Sequence, residues 1–351
     1  MTKKPWSDFT GIMSRSYVRD LLPQAISIVP DDLCDMQEYR REVRMAACNG
    51  VDPIRVVVAY AQDELVYDAK GGIAPELNRN AYATLPRERR VNKFGLSYRR
   101  DAKLYLHKTL AGITVDAAIY LYQTQGWTTV LYDGLRTIDG AYQLYLNAAE
   151  SDMSSGLLSL PGRSSHNKGM AIDSMMMDKS GREVDVGAHF DHLDMAINSR
   201  LCDSISDTAK RNRTLREAAF LRAGFARGII LAPLRTEFWH DQLPENCKDL
   251  WRVLESVARC VGITLLSQED EILRKQNRAA FEEKWERWSY ADFLAQWQTL
   301  FRGHEAKLRE LFGVIIPPSQ ERIEFYHGNY NHIYDADLRA AGKHLTAQAA
   351  A

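Results

Sequence analysis

The chain has 351 residues, 45% of them hydrophobic and 26% charged, the make-up of a soluble globular protein able to bury one large core or two ordinary ones. Its 45 basic and 46 acidic residues nearly cancel, which excludes a global electrostatic pull toward nucleic acid or anionic lipid. The five cysteines (Cys34, Cys48, Cys202, Cys247 and Cys260) are scattered and include no CxxC pair, so neither a zinc knuckle nor a disulfide framework is indicated and reduced thiols are expected.

At the N-terminus, basic residues are not followed by an apolar stretch, and LLPQAISIVP is short and carries two prolines. No segment approaches the roughly 20 apolar residues of a membrane span. The expectation is a cytoplasmic protein with neither a membrane nor a nucleic-acid partner; its oligomeric state is not legible. Residues 1 to about 75 mix short apolar runs such as IRVVVAYA with charged stretches and read as an extension without an assignable role.

Helical spacing of Val115, Ala118, Ile119 and Tyr122 predicts a helix, with Thr114 as its cap and Gly126 as its end. A β-rich run follows at Thr128 to Tyr132, broken by the turn dipeptide Asp133-Gly134. Ala141, Leu144, Tyr145 and Ala148 mark a second amphipathic helix. Residues 170 to 177 (MAIDSMMM) read as a buried strand, NRTLREAAFLRAGF as a helix ending at Gly224, and TEFWHDQL (236–243) as a short strand. After Pro244 the pattern is largely helical over 248–262 and 270–312. Phe281, Trp285 and Trp288 share one face there, and Ser289 caps a helix carrying Phe293, Leu294 and Trp297. These aromatics read as core. His327 and His332 have no carboxylate or cysteine at metal spacing and read as structural.

Chemistry concentrates in Ser164-Ser165-His166-Asn167-Lys168-Gly169-Met170-Ala171-Ile172-Asp173. His166 and Asp173 offer a nitrogen and an oxygen ligand that zinc accepts, and an ionised Asp173 inside MAIDSMMM is costly unless paired or metal-bound. The alternative is a buried histidine hydrogen-bonded to an aspartate. Glu237-Phe238-Trp239-His240 supplies a third ligand in His240 and a base in Glu237, a catalytic zinc site keeping one position open. Positions three apart on an ideal strand face opposite ways, so that reading requires a bend between Glu237 and His240; otherwise Glu237 is a surface carboxylate. Arg136, ending the turn after Tyr132, is placed to stabilise an oxyanion, or else serves as a structural ion-pair partner.

The pattern SxHxxGxAxD followed downstream by ExWH resembles the zinc D-Ala-D-Ala peptidases, and within them the D-alanyl-D-alanine dipeptidases, including those of vancomycin resistance. Tyr82-Ala83-Thr84, Asn92-Lys93-Phe94-Gly95, Leu104-Tyr105-Leu106-His107-Lys108, Val186-Gly187-Ala188-His189-Phe190-Asp191 and Asn212-Arg213 fall in the same order, over roughly residues 80 to 245. The resemblance implies one zinc ion per chain on His166, Asp173 and His240, Glu237 as catalytic base and Arg136 facing the scissile carbonyl. It also implies Asp191 and Ser165 at the charged ends of a dipeptide, and Tyr82 lining the pocket. This chain departs from the pattern at Leu135 and Thr137 around the arginine, at Phe238, and at Asp241, which either orients the His240 ring from behind or points to solvent. His189 and His192 read as turn residues.

The expected fold is α+β, a small and mainly antiparallel sheet carrying the zinc site, flanked by helices. Three parts are expected: an extension over 1–75, the peptidase domain over 76–247 and a mainly helical C-terminal extension over 248–351. The expected activity is hydrolysis of D-alanyl-D-alanine or a similar D-residue dipeptide by metal-activated water. Two alternatives are a peptidase acting on larger peptidoglycan stem peptides and a retired zinc-binding scaffold.

Overall fold

Strand β1 (Leu33–Asp35) leads to helix α1 (Arg41–Ala47) and strand β2 (Ile54–Val56), followed by a 3-10 turn at Ala59–Ala61. Strand β3 (Tyr105–His107) runs directly into α2 (Lys108–Gln125), then β4 (Thr128–Asp133). A second 3-10 turn, Ser165–Lys168, precedes β5 (Ala171–Met177), α3 (Met195–Asn198), α4 (Asp207–Ala226), β6 (Ala232–Pro233) and β7 (His240–Gln242). Helices α5 (Lys248–Val261), α6 (Gln268–Gln276), α7 (Tyr290–Phe301) and α8 (Glu305–Phe312) follow. This computed structural model describes residues 32–61, 97–98 and 102–313, excepting 138–139, 142, 145–147, 149–157, 160–163, 193, 201, 235, 247, 278–279, 282 and 285–286. Tyr82, the 92–95 run, Tyr145, Cys247, Trp285, His327 and His332 lie outside the described residues.

The fold is α+β, but its five-stranded sheet is mixed rather than mainly antiparallel. The strand order is β2-β4-β5-β7-β6, with β2 parallel to β4 and the other three pairings antiparallel. The physical reason is the connection: α2 lies between β2 and β4 in the chain, and a helical crossover returns the second strand in the same direction. β1 and β3 form a separate antiparallel pair. All seven residues of β5 are buried, as the unbroken run MAIDSMMM requires of a strand covered on both faces.

The start of α2 corrects the sequence expectation. Its cap is His107, whose ring accepts the Thr109 N–H at 3.3 Å, whereas Thr114 is buried mid-helix with its hydroxyl donating to the Leu110 carbonyl at 2.8 Å. The periodicity starts seven residues late because the first turn of the helix is fed straight from β3. Gly126 does end it, in the left-handed region at φ 72°. Helix α4 begins at its Ser206 cap and continues two residues beyond Gly224. Ala141 and Leu144 are buried, and the Ala141 and Ala148 amides donate to Thr137 and Leu144, as a helical turn demands.

Ser289 caps α7 in a reciprocal box with Asp292, and Phe293, Trp297 and Phe301 are buried. Trp297 and Phe312 each meet Phe225 of α4 edge-on, at 5.9 and 5.7 Å between ring centroids, so α7 and α8 share one hydrophobic core with the sheet-bearing part. Cys34, Cys48, Cys202 and Cys260 are free thiols. Among the described residues, no helix is long and apolar enough to cross a membrane.

Candidate metal and catalytic site

Strand register assembles the centre of the site. Asp173 on β5 stands opposite Asp133 of β4 on one side and His240 of β7 on the other, so the three form a row across the sheet. A bulge at Tyr132 makes this possible: Leu131 faces Ser174 while Asp133 faces Asp173, leaving Tyr132 as the extra residue. Tyr132 is buried and stacks on Phe190 with centroids 4.5 Å apart.

His166 reaches the row from the 3-10 turn. Ser164 and Asn167 close a capping box at its start, and Gly169 ends it at φ 67°, a conformation in which a side chain is strained. The turn is zipped to the segment after β4: the Arg136 N–H donates to the His166 carbonyl at 2.9 Å, and the Asn167 amide donates to the Arg136 carbonyl at 2.8 Å. Gly134 is required between them, because a Cβ there would stand 2.7 Å from the Tyr105 carbonyl oxygen.

The His166 Nε2, His240 Nδ1 and Asp173 carboxylate converge. Nε2 lies 3.2 Å from Nδ1 and 3.3 Å from Asp173 Oδ2, and Nδ1 lies 3.1 Å from Asp173 Oδ1. The edges of a tetrahedron with metal bonds near 2.0–2.1 Å are about 3.3–3.4 Å, so the spacing suits a single small cation. The outer hydrogen bonds select the tautomers. His166 Nδ1–H donates to the Gly134 carbonyl at 2.8 Å, and His240 Nε2–H donates to Gln242 Oε1 at 3.0 Å. Neutral rings so held aim two nitrogen lone pairs and a carboxylate at one point, an arrangement that repels itself unless a proton or a cation sits there. Burial would push the Asp173 carboxyl up, but the His166 and His240 rings outweigh it and hold the group well below the usual carboxylate range. Burial likewise opposes charge on His166, and Asp173 reverses the balance and raises its pKa.

The bend required between Glu237 and His240 is present. Residues 236–239 lie outside the strand, which covers only His240–Gln242, and the His240 N–H closes a turn onto the Glu237 carbonyl at 3.2 Å. Both side chains therefore face the same space, with Glu237 Oε2 at 3.7 Å from His240 Nδ1. The Glu237 side chain is 13% exposed. Burial pushes its carboxyl up to about 7, opposed by His240 and Arg136 and reinforced by the Asp173 and Asp191 carboxylates.

Arg136 is buried and is held by Asp133 Oδ2, which accepts from Nε at 3.0 Å and Nη2 at 2.7 Å. The other Asp133 oxygen accepts from Tyr98 Oη at 3.0 Å. Burial would lower the Arg136 pKa, but the Asp133 carboxylate outweighs this and keeps the guanidinium charged. Its carbon sits 5.5 Å from the Tyr60 ring centroid. Tyr60 Oη in turn donates to Asp191 Oδ2 at 2.9 Å, and Asp191 is buried at φ 55°. The Ser165 hydroxyl donates to Gln242 Oε1 at 3.1 Å, steadying the group that holds His240.

Asp241 corrects another expectation. It neither backs the His240 ring nor meets solvent: paired with Ile172 in the register, it lies fully buried, 2.7 Å from Arg216 Nη2 and 3.2 Å from Arg200 Nη2. Alternation along β7 is the reason, since neighbours on a strand face opposite sides of the sheet. His189 is more than a turn former, its Nδ1 lying 2.6 Å from Glu183 Oε2.

Asp133, Tyr60, Tyr98 and Gln242 were missed as site residues. In the sequence Asp133 reads as half of a turn dipeptide, and Tyr60 lies in the IRVVVAYA run, which carries no assignable role. The sequence signal for Asp133 is an aspartate three residues before an arginine.

Residues 90–257 match the family model described as D-ala-D-ala dipeptidase. The chain is also similar to the D-alanyl-D-alanine dipeptidase of Escherichia coli (strain K12), 29% identical over 154 residues, which covers 44% of this chain and 74% of that protein. The matched segment spans His166, Asp173 and His240, which converge in the fold, and Glu237 beside them. The match over residues 90–257 and the likeness to this relative together support the D-Ala-D-Ala dipeptidase family.

Proposed function

We propose that this protein is a zinc-dependent peptidase that hydrolyses D-alanyl-D-alanine or a similar small peptide with a D-residue, using one zinc ion on His166, Asp173 and His240. The observation that carries the reading is the convergence of two imidazole lone pairs and a carboxylate, all within 4.8 Å of one another, beside a carboxyl of raised pKa. Zinc bound there supplies Lewis acidity, lowering the pKa of water toward about 7 and polarising a carbonyl.

Glu237 takes the proton of the attacking water and passes it to the departing amine. A carboxyl near neutrality in its own surroundings both accepts and releases a proton at working pH. Arg136, kept charged and oriented by Asp133, faces the oxygen on which negative charge develops. Asp191, a buried carboxylate beside the cluster, suits the ammonium end of a dipeptide. Ser165 serves the carboxylate end if its hydroxyl turns away from Gln242. Tyr60 supports Asp191 from behind.

Holding both charged ends selects for length, because a longer peptide buries an amide where a charge is expected. The test is a substrate panel varying length and stereochemistry, read by D-alanine release. The expected outcome is chelator-sensitive cleavage of D-Ala-D-Ala, with L-Ala-L-Ala and longer stem peptides cleaved far more slowly. Preference for stem peptides would favour the alternative substrate, and zinc binding without any cleavage would favour a scaffold.

Asp133→Asn is expected to lower kcat/KM by about 10–100-fold while zinc stoichiometry is unchanged, since a neutral amide no longer fixes the guanidinium at two points. Steady-state kinetics beside metal analysis checks it. A matching loss of zinc would instead place Asp133 in support of His166, whose Nδ1 lies 3.7 Å away.

A further inference from the structure

A cavity of about 670 Å³ lies away from the metal cluster, between α4, α5, the turn around Cys202–Ile205 and the segment after α5. Its size is in the range of small-molecule sites. Arg200, Lys210, Arg213 and Arg259 line it against three carboxylates, Asp203, Glu217 and Glu255. Within that wall Glu217 and Glu255 both act on Arg259. Glu217 is gripped by Arg259 and lies 3.6 Å from Arg200, and Asp203 is exposed at the surface.

Arg213 makes no ion pair among the described residues, and Asp185 acts on it only at longer range. The residue is 6% exposed; Nε donates to the Val186 carbonyl at 2.6 Å, Nη1 donates to the Ile197 and Ser199 carbonyls at 2.9 and 3.0 Å, and the guanidinium carbon lies 3.8 Å from the Phe238 ring centroid. Its Nη2 finds no hydrogen-bond partner among the described residues, and neither does Nη1 of Arg259 in the same cavity wall. A buried guanidinium with no carboxylate in contact is costly, and Asp185 offsets this only at that longer range. Burial pushes Arg213 down to about 10, and nearby Arg200 adds to that. Half-buried Ile205, Ile263 and Leu265 complete the wall, so the cavity offers cations beside an apolar surface.

We propose that this cavity is a second ligand site that binds a small organic anion, a carboxylate on an apolar body, with its charge against Arg213 and Arg259 and its body against Ile205 and Ile263. Lys210, whose side chain is 39% exposed, guides the anion at the mouth.

Cys202 lines the same cavity and is a built-in reporter. Burial raises its thiol pKa, but the bonds from Ser204 outweigh burial and lower it, with Arg213 contributing. Its thiolate displaces iodide from iodoacetamide, forming a C–S bond that peptide mass spectrometry counts. The experiment alkylates the zinc-loaded full chain with and without millimolar hexanoate, hexanamide or acetate. Hexanoate is expected to slow labelling of Cys202 at least fivefold and leave Cys34 unaffected, while hexanamide and acetate protect weakly or not at all. Lys210→Gln, a surface change that leaves the fold intact, is expected to weaken protection severalfold, and Arg213→Gln to abolish it. Equal protection by hexanoate and hexanamide, or none by hexanoate, overturns the proposal. Protection that survives Lys210→Gln unchanged removes the electrostatic part and overturns it as well.

Discussion

Glu237→Gln is expected to lower kcat on D-Ala-D-Ala by about 10²–10⁴-fold with one zinc still bound per chain. Glutamine keeps the shape of the side chain and its place beside His240, but an amide neither takes the proton of water nor delivers one to the leaving amine. Because Glu237 sits next to the ligand cluster without being part of it, the metal set survives the change. The same residue predicts the acid limb of the pH profile. Burial sets its carboxyl at about 7 in the protein without metal, and an adjacent dication favours the ionised form, so the limb of kcat/KM should fall below pH 7 and be absent in the variant. Full activity of Glu237→Gln would refute the assignment.

His166→Ala is expected to abolish activity and weaken zinc binding by about 10²–10⁴-fold. Zinc sites release about 10–16 kcal/mol over their ligands, so one lost ligand costs about 3–5 kcal/mol. Linkage supplies a second readout. Zinc at 1,000 times its Kd stabilises the folded chain by about 4 kcal/mol, so chelation should lower the Tm of the native protein and leave that of the variant nearly unchanged. The metal-free variant should still fold, because removing one imidazole relieves two opposed lone pairs only 3.2 Å apart. A chelator-sensitive Tm in His166→Ala would mean that the ion binds elsewhere.

The ligand set was legible because each half of it is local. The turn that presents His166 and the strand that carries Asp173 lie within one ten-residue motif, and Glu237 and His240 lie within one turn. The helices were legible for the same reason, since amphipathic spacing and caps such as Ser289 operate over a few residues. Errors appeared where a neighbour distant in the chain intervened. Helix α2 starts at His107 because β3 feeds it, Asp241 is buried because β7 has a second face, and β2 is parallel because α2 carries the chain across before β4 forms.

By itself the sequence determined which side chains form the candidate ligand set and which carboxylate stands beside it, because the motif that carries them falls in two short segments. Only the tertiary structure decided what supports them. Asp133 behind Arg136, Tyr60 behind Asp191, Gln242 behind His240 and the unpartnered Nη2 of Arg213 each depend on strand register or on packing between elements. Such contacts span from two to more than a hundred residues of chain, and the burial that makes them matter exists only once the layers have closed.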